Sequence, residues 1–236
     1  MTEPLRILVT GASRGIGAAI VEALAGEQVV GHSSQGGGNL IAADLAEPDA
    51  ALGLWDEAMA RLGGRIDVLV NNAGVFEPAP IDLHHADWAA QWERTMRINL
   101  HAAADLSRLA VRHYRARGEG GSIVNVASRA AYRGDSPDHW HYAASKAGMV
   151  AMTKTIARAY AAEGIYAFAV CPGFTVTGMV EEYVASRGGD AFLADIPLGR
   201  PATVGEVAET VRWLAVEAPA SATGAVIDVN GASFVR

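Results

Sequence analysis

Short apolar, β-branched runs alternate along the chain with longer amphipathic stretches. Arg6–Thr10, Gln28–His32, Leu40–Ala43, Asp67–Asn71, Ser122–Ala127, Ile165–Cys171 and Ala225–Val229 read as strands. Several are apolar almost throughout, the pattern of parallel strands covered on both faces. Between them, Gly15–Ala25, Pro48–Leu62, Asp87–Arg117, Tyr142–Glu163 and Thr203–Val216 carry helical spacing, the third long enough for two helices. This order predicts an α/β fold: one doubly wound parallel sheet of about seven strands flanked by helices. The second crossover departs from the pattern. Between His32 and Leu40 lies Ser33-Ser34-Gln35-Gly36-Gly37-Gly38-Asn39, too short for a helix at ~1.5 Å per residue and too rich in glycine, so a loop is expected there. No repeat, linker or composition shift separates a second domain. Residues 1–236 are expected to form one domain, with substrate loops at 129–141 and 174–200.

Composition narrows the function classes. Half of the 236 residues are hydrophobic, enough for a sizeable core, and the net charge is −7. No cluster of Lys and Arg offers a face to nucleic-acid phosphates; Arg108 to Arg117 reads as a solvated helix face. No apolar run approaches the ~20 residues of a membrane span. The start Met1-Thr2-Glu3-Pro4 lacks the basic flank and apolar stretch of a signal peptide, and the single cysteine, Cys171, is compatible with a reducing compartment. A cytoplasmic protein with no nucleic-acid or membrane partner is expected. His84-His85 and His139-Trp140-His141 invite a metal, but no acid or cysteine completes a ligand set at recognisable spacing, so no metal is expected.

Candidate chemistry gathers at two places. Thr10-Gly11-Ala12-Ser13-Arg14-Gly15-Ile16-Gly17 follows the first strand and opens the first helix. In such a sheet that turn cradles a dinucleotide pyrophosphate: glycines let the backbone approach, and the helix N-terminus supplies free N–H groups. Further on, Tyr142 precedes Lys146 by four residues, one helical turn apart on one face, with Ser128 upstream. Lysine occurs only at 146 and 154. An ammonium close to a phenol favours phenolate and would draw the tyrosine pKa down from about 10 by roughly 1–3 units. A phenol tuned in that way exchanges protons with an alcohol or carbonyl near neutral pH.

Thr10–Gly17, Asp44, Asn71-Asn72-Ala73-Gly74, Asn99, Ser128, Tyr142 with Lys146, and Pro172-Gly173 with Thr177 occur in an order and spacing that resembles the short-chain dehydrogenase/reductase family over nearly the whole length. The nearest likeness is to its 3-oxoacyl-acyl-carrier-protein-reductase-like branch. The resemblance implies a single Rossmann-type domain and an oxidoreductase interconverting a carbonyl and an alcohol. It implies Tyr142 as proton donor or acceptor. Lys146 would lower its pKa and hold the nicotinamide ribose, Ser128 would bond the substrate oxygen, and Asn99 would hold a water linking Lys146 to solvent. For the cofactor it implies Gly11, Ser13, Arg14, Gly15, Ile16 and Gly17 at the phosphates; His32, Ser33, Ser34, Asp44 and Leu45 at the adenosine end; and Asn72, Ala73 and Gly74 along the ribose. Tyr142, Lys146, Pro172, Gly173, Thr175 and Thr177 would lie at the nicotinamide end. A homotetramer, or a homodimer, built on the helices Asp87–Arg117 and Tyr142–Glu163 is implied as well.

The second strand ends in Gly31-His32-Ser33-Ser34, with no acid to bind a ribose 2′-OH, while Arg14 stands ready to pair with a 2′-phosphate. NADP is therefore expected, with NAD as the alternative. Family positions differ at Gly178, Tyr166, Phe168 and Asn230-Gly231-Ala232, which bears on the substrate loop and subunit contacts. Trp140 and Tyr132 are expected to give the substrate pocket an aromatic face. The 178–196 stretch carries Glu181, Glu182, Asp190 and Asp195 against Arg187, a poor match for an acidic carrier protein, although Arg129 and Arg133 stand beside the entrance. A small ketone, aldehyde or alcohol is favoured, with an acyl thioester as the alternative. Two rivals remain: a non-catalytic dinucleotide-binding scaffold, and a sugar-nucleotide epimerase or dehydratase, whose relatives carry a longer C-terminal substrate domain.

Overall fold

In the computed structural model, residues 3–176 and 195–236 are described. Seven parallel strands form the main sheet: β1 (Arg6–Val9), β2 (Gln28–Ser33), β3 (Ile41–Ala42), β4 (Val68–Asn71), β5 (Gly121–Val126), β6 (Ile165–Pro172) and β9 (Val226–Val229). Their spatial order is β3-β2-β1-β4-β5-β6-β9. The order reverses direction between β1 and β4, and in a sheet of this kind the crevice at that switch point takes the ligand. A separate pair, β7 (Thr175–Val176) and β8 (Ala202–Thr203), follows β6.

Strand side chains alternate between the two faces, and the core divides accordingly. Leu8, Leu69, Ile123 and Ala167 point to one face, where they meet α2 (Ala50–Arg61), α4 (Ala102–Arg117) and α6 (Trp140–Tyr160) through Trp55, Leu106, Tyr114 and Ile156. Ile7, Val9, Val70, Val124 and Val170 point to the other, covered by α1 (Gly15–Ala23) and α7 (Val204–Val216) through Ile20, Val207 and Val211. A strand needs apolar residues at every position only when both faces are buried, which is why the central strands carry unbroken apolar runs.

The 87–117 stretch is one continuous helical path. Helix α3 (His85–Met96) runs into a π-helical turn, Arg97–His101, and on into α4. The expected loop between β2 and β3 is there: Ser33 Oγ donates to the Gly36 carbonyl (3.1 Å), and Gly37 bridges Leu40. A four-residue helix, α5 (Ala130–Arg133), follows β5. No helix among the described residues is long and apolar enough to cross a membrane.

Candidate active site

A cleft of about 820 Å³ opens at the C-terminal ends of β1, β2 and β4. It is lined by Gly11, Ser13, Arg14, Gly15, Ile16, Gly17, His32, Ser33, Ser34, Asp44, Leu45, Asn72, Ala73 and Gly74, all expected from sequence at the cofactor. Helix α1 begins in this cleft with no side chain capping it, so its first-turn N–H groups face the space. The loop leaves no room for side chains. A Cβ on Gly17 would overlap the Gly11 carbonyl and come 2.6 Å from Asn72 Nδ2, and Gly11 itself sits at φ +66. These features fit a pyrophosphate approached by backbone and by a helix dipole.

Side chains behind the cleft hold it in shape. Thr10 Oγ1 accepts from the N–H groups of Asn72 and Ala73, both at 3.0 Å, and Asn72 Nδ2 donates to the carbonyls of Thr10 and Gly11. His32 is buried; its Nδ1 accepts from the Gly11 N–H (3.2 Å) and its Nε2 lies 2.8 Å from the Ala43 carbonyl. That pairing requires the neutral Nε2–H tautomer, and burial lowers the His32 pKa in agreement. His32 is thus a strut between the glycine loop and β3, with both nitrogens committed inside the protein. Asp44 Oδ1 accepts from the Ala46 N–H (3.0 Å); the N-cap position of α2 belongs to Asp49. Arg14 and Ser34 are exposed at the rim, and Arg14 forms no ion pair with a described residue.

The second group lies at the ends of β5 and β6. Ser128 hydrogen-bonds the Tyr142 hydroxyl, and its own oxygen accepts from the Ala130 N–H at 3.1 Å. Lys146 Nζ, buried, donates to the Val126 carbonyl at 2.9 Å. A Cβ on Gly74 would come 3.3 Å from Asn99 Oδ1 and 3.4 Å from Lys146 Nζ, so these groups converge where the cofactor cleft ends. Asn99, on the π-helical turn and fully buried, clasps Val75: Oδ1 accepts from its N–H (2.8 Å) and Nδ2 donates to its carbonyl (3.0 Å). Beneath, Asn71 donates to Asn125 (2.8 Å), which donates to Thr153 (2.8 Å), tying β4, β5 and α6 into one floor.

The pKa expectation for Tyr142 is overturned. Desolvation pushes it up to about 12, and the Ser128 hydrogen bond offsets only part of this. The Lys146 ammonium lies 5.8 Å from the centroid of the Tyr142 ring and is aimed at Val126, and desolvation pushes Lys146 itself down to about 8. Spacing of four on a helix brings the two side chains to one side; it does not set where the ammonium points. Burial therefore favours the neutral phenol at Tyr142.

Tyr132 and Trp140 are corrected as well. Tyr132 turns to the C-terminal segment, stacking on Phe234 (5.9 Å) and accepting from Arg236 (3.0 Å), and Trp140 is exposed at the start of α6. The aromatic wall beside Tyr142 comes from Phe76, edge-on at 4.8 Å, which stacks on His139 at 3.8 Å. Pro172 ends β6, Gly173 follows it and Thr175 opens β7, all apart from the cofactor cleft lining; Thr175 Oγ1 donates to the Gly173 carbonyl (3.2 Å). Thr177, and the 178–196 stretch apart from Asp195 and Ile196, fall outside the described residues. Sequence reasoning missed Gln35, Ala43, Val75, Arg94 and Ile98 in the cleft lining. Val75 follows the Asn-Asn-Ala-Gly run and Ile98 precedes Asn99, a signal that was present; Arg94, held by Glu77 at 3.2 Å, gave none. Cys171 is fully buried and its thiol is pushed up to about 11, as expected of an inert strand-end residue.

Against known proteins, the family model described as Enoyl-(Acyl carrier protein) reductase matches residues 11–232. The chain is 37% identical over 241 residues to the cis-4-hydroxycyclohexanecarboxylate dehydrogenase of Sinomonas cyclohexanicum, covering 95% of this chain and 94% of that one. It is 35% identical to the acetoacetyl-CoA reductase of Shinella zoogloeoides, covering 96% and 97%. Among solved structures, a protein of Agrobacterium tumefaciens provisionally named a gluconate dehydrogenase superposes with a TM-score of 0.87 at 27% identity, covering 99% of this chain and 98% of that one.

Proposed function

The chain belongs to the short-chain dehydrogenase/reductase family, in its 3-oxoacyl-acyl-carrier-protein-reductase-like branch, and on that premise we propose that it uses NADP(H), with Tyr142 as the group that exchanges the proton. Membership makes it an oxidoreductase that interconverts a carbonyl and an alcohol with a nicotinamide cofactor. The observation that carries the residue assignment is the convergence of Ser128, Tyr142 and Lys146 at the inner end of the cleft.

When bound, the nicotinamide supplies or takes the hydride. The Tyr142 phenol, protonated and hydrogen-bonded to Ser128, gives its proton to the carbonyl oxygen in reduction. Ser128 offers a second donor to the same oxygen as negative charge builds on it. Lys146 and the glycine loop would hold the cofactor. Asn99, whose amide clasps Val75, would hold a water that links Lys146 to solvent. Thr175, at the start of β7, would hold the nicotinamide end of the cofactor.

For NADP, support comes from Arg14, which forms no ion pair with a described residue and lines the cleft together with Ser34, with no acid at the end of β2. A 2′-phosphate would take a charge-assisted bond from Arg14 and meet no repulsion. The reading predicts a kcat/KM at least about ten-fold higher with NADPH than with NADH, because one charge-assisted bond contributes ~1.5–3 kcal/mol. A ten-fold preference for NADH would refute it. We also assign the protein to the cytoplasm and to a homotetramer, built on the α3–α4 path and α6; light scattering in solution tests the latter. The substrate is a small carbonyl or alcohol, and the relatives named for acyl thioesters keep that class in the screen.

A further inference from the structure

Arg129 directly follows Ser128, and only 7% of it is exposed. Its N–H donates to the Pro172 carbonyl (2.9 Å), which pins it where the ends of β5 and β6 meet beside Tyr142. Its guanidinium lies 4.2 Å over the Phe174 ring. Nη1 is buried and makes no hydrogen bond among the described residues. Its salt-bridge partner is Asp195 Oδ2, 3.6 Å away, and that oxygen takes its short bond, 2.7 Å, from Arg133 Nη1. Arg129, the N-cap of α5, and Arg133, its last residue, both reach Asp195 Oδ2, so two guanidinium groups share one carboxylate. Asp135 also bears on Arg129, but its Oδ1 accepts from the Ser136 N–H within its own loop.

A buried guanidinium with an unmet donor is costly unless an anion completes it, and its planar fork matches a carboxylate on two atoms. Asp195 already brings a carboxylate to the edge of that fork from a half-exposed position. We propose that Arg129 seats the carboxylate of the substrate, so that the molecule reduced or oxidised at Ser128 and Tyr142 is a short oxo- or hydroxy-acid, with Asp195 standing in the ligand's place until it enters. The inference rests on the hydride-transfer reading above and names the substrate class of the same site. It disfavours an acyl-carrier partner, whose acidic surface would need exposed basic groups rather than one sunk beneath Phe174.

The test supplies NADPH and NADH to a set of short oxo-acids, each paired with its methyl ester, together with uncharged ketones and acyl thioesters. The unaltered protein is expected to favour acid over ester by about ten-fold or more in kcat/KM, the scale of a charge-assisted bond. Arg129→Met should bring that ratio to within about two-fold, and Arg129→Lys should retain part of it, since a point charge replaces a fork. Asp195→Asn removes the internal competitor and should lower KM for the acids several-fold, which a merely structural role would not do. The carboxylate seat is overturned by an acid/ester ratio near one, by equal losses on acid and ester in Arg129→Met, or by an unchanged or raised acid KM in Asp195→Asn. Should Arg129→Met fail to fold, Arg129→Lys and Asp195→Asn decide the matter. Reduction of uncharged ketones or thioesters without any acid removes this inference and leaves the proposed function standing. No cofactor oxidation with any carbonyl removes both.

Discussion

At the scale of single residues, His32 shows how one side chain fixes a backbone. The Gly11 N–H sits in a loop whose amides turn toward a cleft, and without Nδ1 it would have no protein acceptor. Leaving a buried donor unpaired costs about 1–3 kcal/mol. His32→Leu keeps the bulk and removes the acceptor. It should lower the unfolding free energy by that amount and weaken NADPH binding several-fold, measured by urea denaturation and by cofactor fluorescence. Unchanged binding would mean that the strut does not govern the loop. The same residue marks a limit of sequence reading. Its place at the end of β2 puts it in the cleft lining, while the bonds to Gly11 and Ala43 commit both ring nitrogens within the protein. A residue's position along a strand is legible in a sequence; the direction of its nitrogens depends on partners ten or twenty residues away.

At the scale of elements, the strands and helices were legible because both-face burial and helical spacing write themselves into apolar patterns. Boundaries moved by a few residues, as when β5 began at Gly121 and α6 at Trp140. What the pattern does not encode is the π-helical turn at Arg97–His101. Five residues of ordinary helical composition carry it, and its result is seen only in space, where Asn99 swings to clasp Val75. The site divides in the same way. The glycine loop, Ser128, Tyr142 and Lys146 could be singled out by type and order. The Lys146–Val126 bond, the Phe76–His139 wall and the sunken position of Arg129 depend on how β5, β6 and α6 pack against one another.

At the scale of the whole molecule, burial of neutral histidines links stability to pH. His32 and His141 are buried, and desolvation lowers both pKa values from 6.5; His113 is lowered too. The unfolded chain therefore takes up protons below about 6.5 that the folded protein resists, so the stability present above that pH is lost as pH falls toward the folded values. Each withheld proton contributes at most ~1.4 kcal/mol per pH unit. The urea midpoint should drop between pH 7.5 and 5.5, before the carboxylates titrate. His141→Phe, which keeps the ring against Trp92, should flatten the slope. A midpoint constant over that range would contradict the assignment.

In the proposed reaction Tyr142 carries the proton, while the phosphates of the cofactor would rest on the glycine loop. Tyr142→Phe removes one oxygen and leaves the cleft lining untouched. With any carbonyl that the unaltered protein reduces, kcat should fall by about 10²–10⁴-fold, the contribution of a positioned acid–base group, while the NADPH dissociation constant stays within about three-fold. Turnover within ten-fold of the unaltered protein, at intact cofactor binding, would contradict the account.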